Sequence, residues 1–325
     1  MILKKINFWS QFFLRLNFIF FYCTALGFFT TRILNAQPDY EKKVSGPANF
    51  AVFAGTSPEV SWLLKMLIPD DLKIEILTLS HRNHNTHTNE IRAQALSALL
   101  KADFLCQFGA GLETHWLNVP LLNARNPRLL PQAGGYCDLS IPFKYPSPQT
   151  STFQAEGIPT HYWLGPNHFL SSARYLRDYL TLQYPMLGPR IEDQYKKLKN
   201  SLSNLSAHPD LAEIRKKKWC ILGNEFLTFF GDFKISTIPL YETPHSSAPN
   251  PKQFLKWIRL IHDQKPTALL MPINYPLPLI RKIQEATQIP VIYLPLSMDQ
   301  SPYPNDYIGF QYYVVSLLVE HTLKL

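Results

Sequence analysis

The chain has 325 residues, 46% of them hydrophobic and 17% charged, with 21 Phe, 16 Tyr and 6 Trp. That is enough apolar material for two domains with cores of their own, and it excludes a disordered chain. The formal net charge is +8, but Lys4, Lys5, Arg15 and Arg32 all lie in the first 36 residues, which hold no acid, so the rest carries only +4. The densest basic run beyond them, Arg215-Lys216-Lys217-Lys218, precedes a predicted strand and reads as a solvated boundary, so no nucleic-acid footprint is expected.

Residues 1–36 read as a signal peptide. Lys4, Lys5 and Arg15 precede an apolar run from Leu16 to Thr31, and Leu34-Asn35-Ala36 offers a cleavage site. The run is shorter than the ~20 residues of a spanning helix. The expected location is therefore periplasmic or otherwise extracytoplasmic. From Ala48 strand-like and helix-like segments alternate: NFAVFAG, SPEVSWLLKML, LKIEILTL, a helix from about Glu90 to Lys101, DFLCQFG, a helix from about Leu112 to Leu122, and PRLLPQ as a last strand. Thr56 is read as the cap of the first helix, with Pro58 in its first turn and Glu59 completing a capping box. Residues 133–157 are rich in Pro, Gly and Ser and read as loop. A helical middle runs from Pro166 to about Tyr184 and, after Pro185, from Ile191 to about Leu205. A second alternation follows through KWCILG, KISTIPL, TALLMPI and PVIYLPL to a last helix from about Asp306 to Leu323.

Such alternation means parallel sheets covered by helices. The expected fold class is α/β: two lobes, each with a parallel β-sheet flanked by helices, joined by a helical connector. The expected boundaries are 1–36 for the signal peptide, 47–165 for the N-terminal lobe, 166–210 for the connector and 211–325 for the C-terminal lobe.

Three cysteines, Cys106, Cys137 and Cys220, follow Cys23 of the leader, with no CxxC and no thiolate metal spacing. Cys106 and Cys220 sit in apolar strand-like runs and are expected to be buried free thiols. His81, His84 and His87 share one loop, SHRNHNTH, directly after the second predicted strand. That is the carboxyl end of a parallel strand, where ligands of open α/β sheets bind. His115 lies in GLETHWL and His161 in PTHYWLGP among aromatics, which can exclude water and orient an imidazole ligand. No G-x-S-x-G, Gly-rich phosphate loop or H-E-x-x-H is present, so no enzymatic activity is expected.

From about Phe50 onward the chain resembles the metal-binding receptors of zinc and manganese ABC importers. NTHTNEIRAQALSALLKADFL sets His87 in the register of the family's D-P-H histidine. FGAGLETHWL resembles its N-G-L-x-L-E-x-x-W with Glu113 and Trp116 matching, and PTHYWLGP resembles N-P-H-Y-W-L-D-P with His161 on the second metal-binding histidine. YETPHSSAPNPKQFLKWI and VIYLPLSMDQSPYPNDYIGF are similar to its later segments. The resemblance implies a helical-backbone, chelatase-like receptor that acts as a monomer, captures Zn2+ or alternatively Mn2+ between its lobes, and delivers it to the permease of an ABC importer.

Departures fall at the ligands themselves. The third ligand position, His or Glu in the family, holds Asn224, whose neutral hard oxygen suits such an ion poorly. Glu225 beside it can supply a carboxylate, and Asp299 lies about one residue from the register of the fourth ligand. Asn85 and Gly165 stand where the family carries supporting aspartates. The expected metal ligands are thus His87, His161, Glu225 and Asp299, with His115 and Glu113 near the site. The alternative reading is a receptor fold whose metal site has degenerated and which binds another small solute or a partner protein.

Overall fold

Residues 51–80, 93–131, 133–144, 161–240, 249–273, 275 and 277–323 are described in a computed structural model of the chain. The signal-peptide reading and the loop carrying His81, His84, Asn85 and His87 lie outside the described residues. Among the described residues the strands form two sheets. One holds β1 (Ala51–Gly55), β2 (Ile74–Thr78), β3 (Phe104–Gln107) and β4 (Tyr136–Asp138) in the order β2-β1-β3-β4. The other holds β5 (Trp219–Leu222), β6 (Thr237–Leu240), β7 (Ala268–Pro272) and β8 (Val291–Leu294) in the order β6-β5-β7-β8. The strands pair in parallel, with Gly55 opposite Cys106, Cys106 opposite Cys137, and Trp219 opposite Ala268. Strands covered on both faces need unbroken apolar runs, and FLCQ, WCIL and ALLMP are buried at every residue.

The helices are α1 (Pro58–Leu67), α2 (Ala93–Lys101), α3 (Asn118–Asn123), α4 (Ile141–Lys144), α5 (Pro166–Gln183), α6 (Gly188–Ser206), α7 (Asp210–Arg215), α8 (Leu227–Asp232), α9 (Pro251–Gln264), α10 (Leu277–Thr287) and α11 (Tyr307–Leu323). One apolar cluster joins Leu99, Leu105, Trp116, Leu121 and Leu129 in the first lobe. A second joins Leu222, Trp257, Leu269, Met271 and Ile283 in the other. Between the sheets, α5 buries Phe169, Ala173, Leu176 and Leu180, and α6 buries Ile191, Tyr195, Leu198, Leu202 and Leu205, at the three- and four-residue spacings of one helical face. Arg177 of α5 reaches Glu192 of α6 at 3.1 Å and lies 4.5 Å from the centre of the Tyr195 ring. No helix among the described residues is long and apolar enough to cross a membrane.

Three local expectations are corrected. The cap of α1 is Ser57, which accepts from Val60 N at 3.3 Å, whereas Thr56 donates its hydroxyl to Glu113 and Glu59 turns away to residues of the other lobe. PRLLPQ forms no strand: Asn126 accepts from Arg128 N and Pro127 starts a 3-10 turn, Pro127–Leu129. The strand in that place is β4, inside the stretch read as loop. The helix expected from Leu112 begins only at Asn118, after a run of turns.

Candidate metal site

In each sheet the chain steps from the first strand outward on one side and then back past it to the third. The loops after β1 and β3, and those after β5 and β7, therefore diverge at the carboxyl ends, which is where such sheets leave a crevice. The loop after β1 carries Thr56 and Ser57, and the loop after β3 carries Phe108 and Gly109. Glu113 folds under both. Its carboxylate is fully buried and accepts from Thr56 Oγ1 at 2.8 Å, Phe108 N at 2.9 Å and Gly109 N at 3.0 Å. Burial outweighs these three donors and pushes the carboxyl pKa up to about 7. Glu113 thus ties two loops of the first lobe together.

His161 is 4% exposed and opens the turn Tyr162–Leu164 that leads into α5. Aromatic packing fixes that turn. Trp163 stacks on Phe108 at 4.1 Å with planes 9° apart and lies 4.9 Å from the His161 ring, while the Tyr162 hydroxyl donates to Phe108 O at 2.8 Å. From α11, Gln311 Nε2 donates to Leu164 O at 2.9 Å. Of the aromatics beside it in the chain, Trp163 packs against the His161 ring. The His161 carbonyl also accepts from Thr228 Oγ1 of α8 at 3.4 Å, a bond from one lobe to the other.

The loop after β5 settles how Asn224 and Glu225 differ. Asn224 is exposed, whereas Glu225 is buried at 9% exposure. Gly223 makes this possible: its φ is +92°, and a Cβ there would lie 2.1 Å from Glu225 Oε2. Only glycine lets the carboxylate fold back against the chain at this point. The Glu225 charge contributes to raising the Tyr275 pKa, behind the larger effect of burial, so its field reaches the loop after β7.

Asp299 is half-buried in the turn Met298–Gln300 that follows β8. His115 is exposed in the turns before α3, while Trp116 beside it packs in the first core. Among the described residues no three His, Cys, Asp or Glu side chains converge as a metal-holding group. His161, Glu225 and Asp299 therefore occupy loops at the carboxyl ends without closing a set of three, and His87 lies outside the described residues. Cys106, Cys137 and Cys220 are free and buried.

One supporting group has no signature in the sequence. Gly165 caps α5 without a side chain, and a Cβ on it would meet Asp232 Oδ2 at 2.5 Å and Thr228 O at 2.8 Å. Asp232, at the end of α8, accepts from Asn167 N at 2.8 Å and His168 N at 3.1 Å. A carboxylate from the second lobe thus serves the start of the connector. It stands 65 and 64 residues from its partners, and no local pattern announces it.

A sequence profile of the family described as "Zinc-uptake complex component A periplasmic" matches residues 54–321. No curated protein matches the chain significantly. Among solved structures, a crystal structure of ZnuA shares 17% identity, covers 85% of this chain and 99% of its own, and superposes with a TM-score of 0.63. A manganese-bound variant of the periplasmic metal binding protein from Candidatus Liberibacter asiaticus gives 14%, 83%, 98% and 0.67. FpvC from P. aeruginosa, in complex with nickel, gives 15%, 85%, 98% and 0.65. At these identities the structures speak for the fold alone.

Proposed function

The chain belongs to this family of periplasmic metal-binding components of ABC uptake systems, and from that premise we propose that it captures one transition-metal ion, zinc before manganese, between its lobes. The family is one of solute-binding proteins, not enzymes. His161 and Glu225 are the proposed ligands from the two lobes, with Asp299 and His87 completing the set, and the permease of an ABC importer takes the ion over. Two imidazoles and two carboxylates suit zinc or manganese. The reading rests on one observation: the His161 carbonyl accepts from Thr228, three residues beyond Glu225, so the backbone that carries the buried imidazole is bonded to the segment that follows the buried carboxylate of the other lobe.

Calorimetric titration of metal-stripped protein with zinc, manganese and nickel tests it, nickel being included because FpvC carries it. One equivalent of zinc should bind. His161→Ala and Glu225→Ala should each weaken it at least about tenfold, or ~1.4 kcal/mol. Asn224→His should change little, because that side chain faces solvent. A tenfold gain from Asn224→His with no loss from Glu225→Ala would move the ligand to position 224. No binding of any of the three ions would leave a receptor fold with a degenerate site.

A further inference from the structure

Glu59 is a buried carboxylate with no part in the proposed ligand set. It sits in the first turn of α1, is 1% exposed, and reaches across to the loop after β8. There it accepts from Ser297 Oγ at 2.5 Å and from Met298 N at 2.7 Å, partners 238 and 239 residues away along the chain. The next residue is Asp299. One position before Ser297, the Leu296 carbonyl accepts from Trp163 Nε1 of the first lobe at 3.3 Å. The loop thus receives one bond from the indole that packs beside His161 and donates two to Glu59.

Three features make this arrangement more than incidental packing. Burial raises the Glu59 pKa, so holding the carboxylate there is unfavourable unless its donors are kept in place. Its location in the first turn of α1 lets the positive end of the helix dipole offset part of that cost. Its donors belong to the segment that carries a proposed ligand, and a backbone N–H bonded at 2.7 Å fixes the path of the chain at Met298, one residue before Asp299.

We propose that Glu59 is a positioning residue: a latch between the lobes that holds the Leu296–Asp299 loop against the first lobe, so that Asp299 is presented to the ion before the ion arrives. This deepens the metal reading and rests on it for the role of Asp299; the latch itself does not depend on a metal.

Hydrogen exchange of the Met298 amide in metal-free full-length protein tests the latch, with the Leu269 amide, bonded inside the second sheet to Pro290 O, reporting global stability. In Glu59→Ala, Met298 should exchange about 10- to 100-fold faster than any change at Leu269 explains, the range expected for losing a charge-assisted bond. Glu59→Gln keeps an acceptor oxygen and should restore most of the protection. Zinc affinity should fall at least about fivefold in Glu59→Ala and recover in Glu59→Gln, by more than their melting temperatures differ. Exchange at Met298 that merely follows Leu269 overturns the latch. Faster Met298 exchange with unchanged zinc affinity overturns the positioning of Asp299. A wild-type protein that binds no ion defeats the metal reading and with it the role of Asp299, while the exchange data still decide the latch.

Discussion

Replacing Asp232 by alanine tests how the two lobes and the connector share one helix start. The first N–H groups of a helix lack partners within it, and α5 begins with Gly165 and Pro166, neither of which brings a capping side chain. Asp232 fills that gap from α8, accepting from Asn167 N and His168 N at 2.8 and 3.1 Å and lying 3.0 Å from His168 Nδ1, with its side chain only 9% exposed. Loss of a capping acceptor costs ~1 kcal/mol, and loss of a partly buried negative charge at a helix N-terminus adds ~1–2 kcal/mol. Asp232→Ala should therefore destabilise by about 2–3 kcal/mol, or roughly 3–5 °C in melting temperature for a chain of this size. Asp232→Asn retains an acceptor and should lose about half as much. Urea unfolding followed by circular dichroism measures both. A loss below ~0.5 kcal/mol for Asp232→Ala would refute the argument, because changes that small are typical of unimportant surface sites.

Two further outcomes follow from the loops around the seam. Burial raises the Glu113 pKa from 4.5 to about 7 in the folded protein, so its contribution to stability is complete below about 4.5 and is lost as pH rises through about 7. Glu113→Gln should remove roughly 2–3 kcal/mol of the decline between pH 5 and 8, read from urea melts at the two pH values; the same pH dependence in wild type and variant would contradict the assignment. Gly223→Ala adds a Cβ at φ +92° and 2.1 Å from Glu225 Oε2, so it should cost about 1–2 kcal/mol and weaken zinc further than the loss of stability explains. Calorimetry showing unchanged zinc affinity in that variant would separate Glu225 from the site.

The sheets were legible because their central strands are buried on both faces and so stand out as the runs AVFAG, FLCQ, WCIL and ALLMP. β4 was not. Tyr136–Asp138 is three residues long behind two glycines, too short to show any period, and the apolar pair in PRLLPQ is the stronger strand-like signal nearby. The cap of α1 slipped by one residue because Thr56 and Ser57 offer the same chemistry, and only the loop after β3 decides which hydroxyl is needed elsewhere. Glu113, Trp116 and His161 could be singled out because each lies in a short motif. Glu59 and Asp232 could not, since their partners stand 238 and 65 residues away and nothing near them in the chain asks for a buried acid. Donor chemistry separates Glu225 from Asn224 in the sequence, and in the structure the two differ in burial.

The bonds that cross between the lobes gather around one short segment. The turn from His161 to Gly165 takes a hydroxyl from Thr228 of the second lobe and an amide from Gln311 of α11, and its indole donates to Leu296 O. Directly behind it Asp232 serves the start of α5, and on the far side of the Leu296 loop Glu59 holds Ser297 and Met298. A hinge motion that swung the lobes apart would have to break these together, exposing the buried Glu59 carboxylate and the stacked Phe108 and Trp163 rings at once. The Asp232 and Glu59 bonds are charge-assisted, worth ~1.5–3 kcal/mol each, and the bonds of Thr228, Gln311 and Trp163 join neutral groups, worth ~0.5–1.5 kcal/mol each; together they exceed what one ion at ~100 times its dissociation constant contributes, ~2.7 kcal/mol. The proposed ion binding, at that ratio, supplies less free energy than breaking all of these bonds together would cost. With the proposed ligands, the motion that remains within its reach is local: reorientation of Glu225 away from Gly223, with the lobes in place and Asp299 held in its turn by the bonds to Glu59.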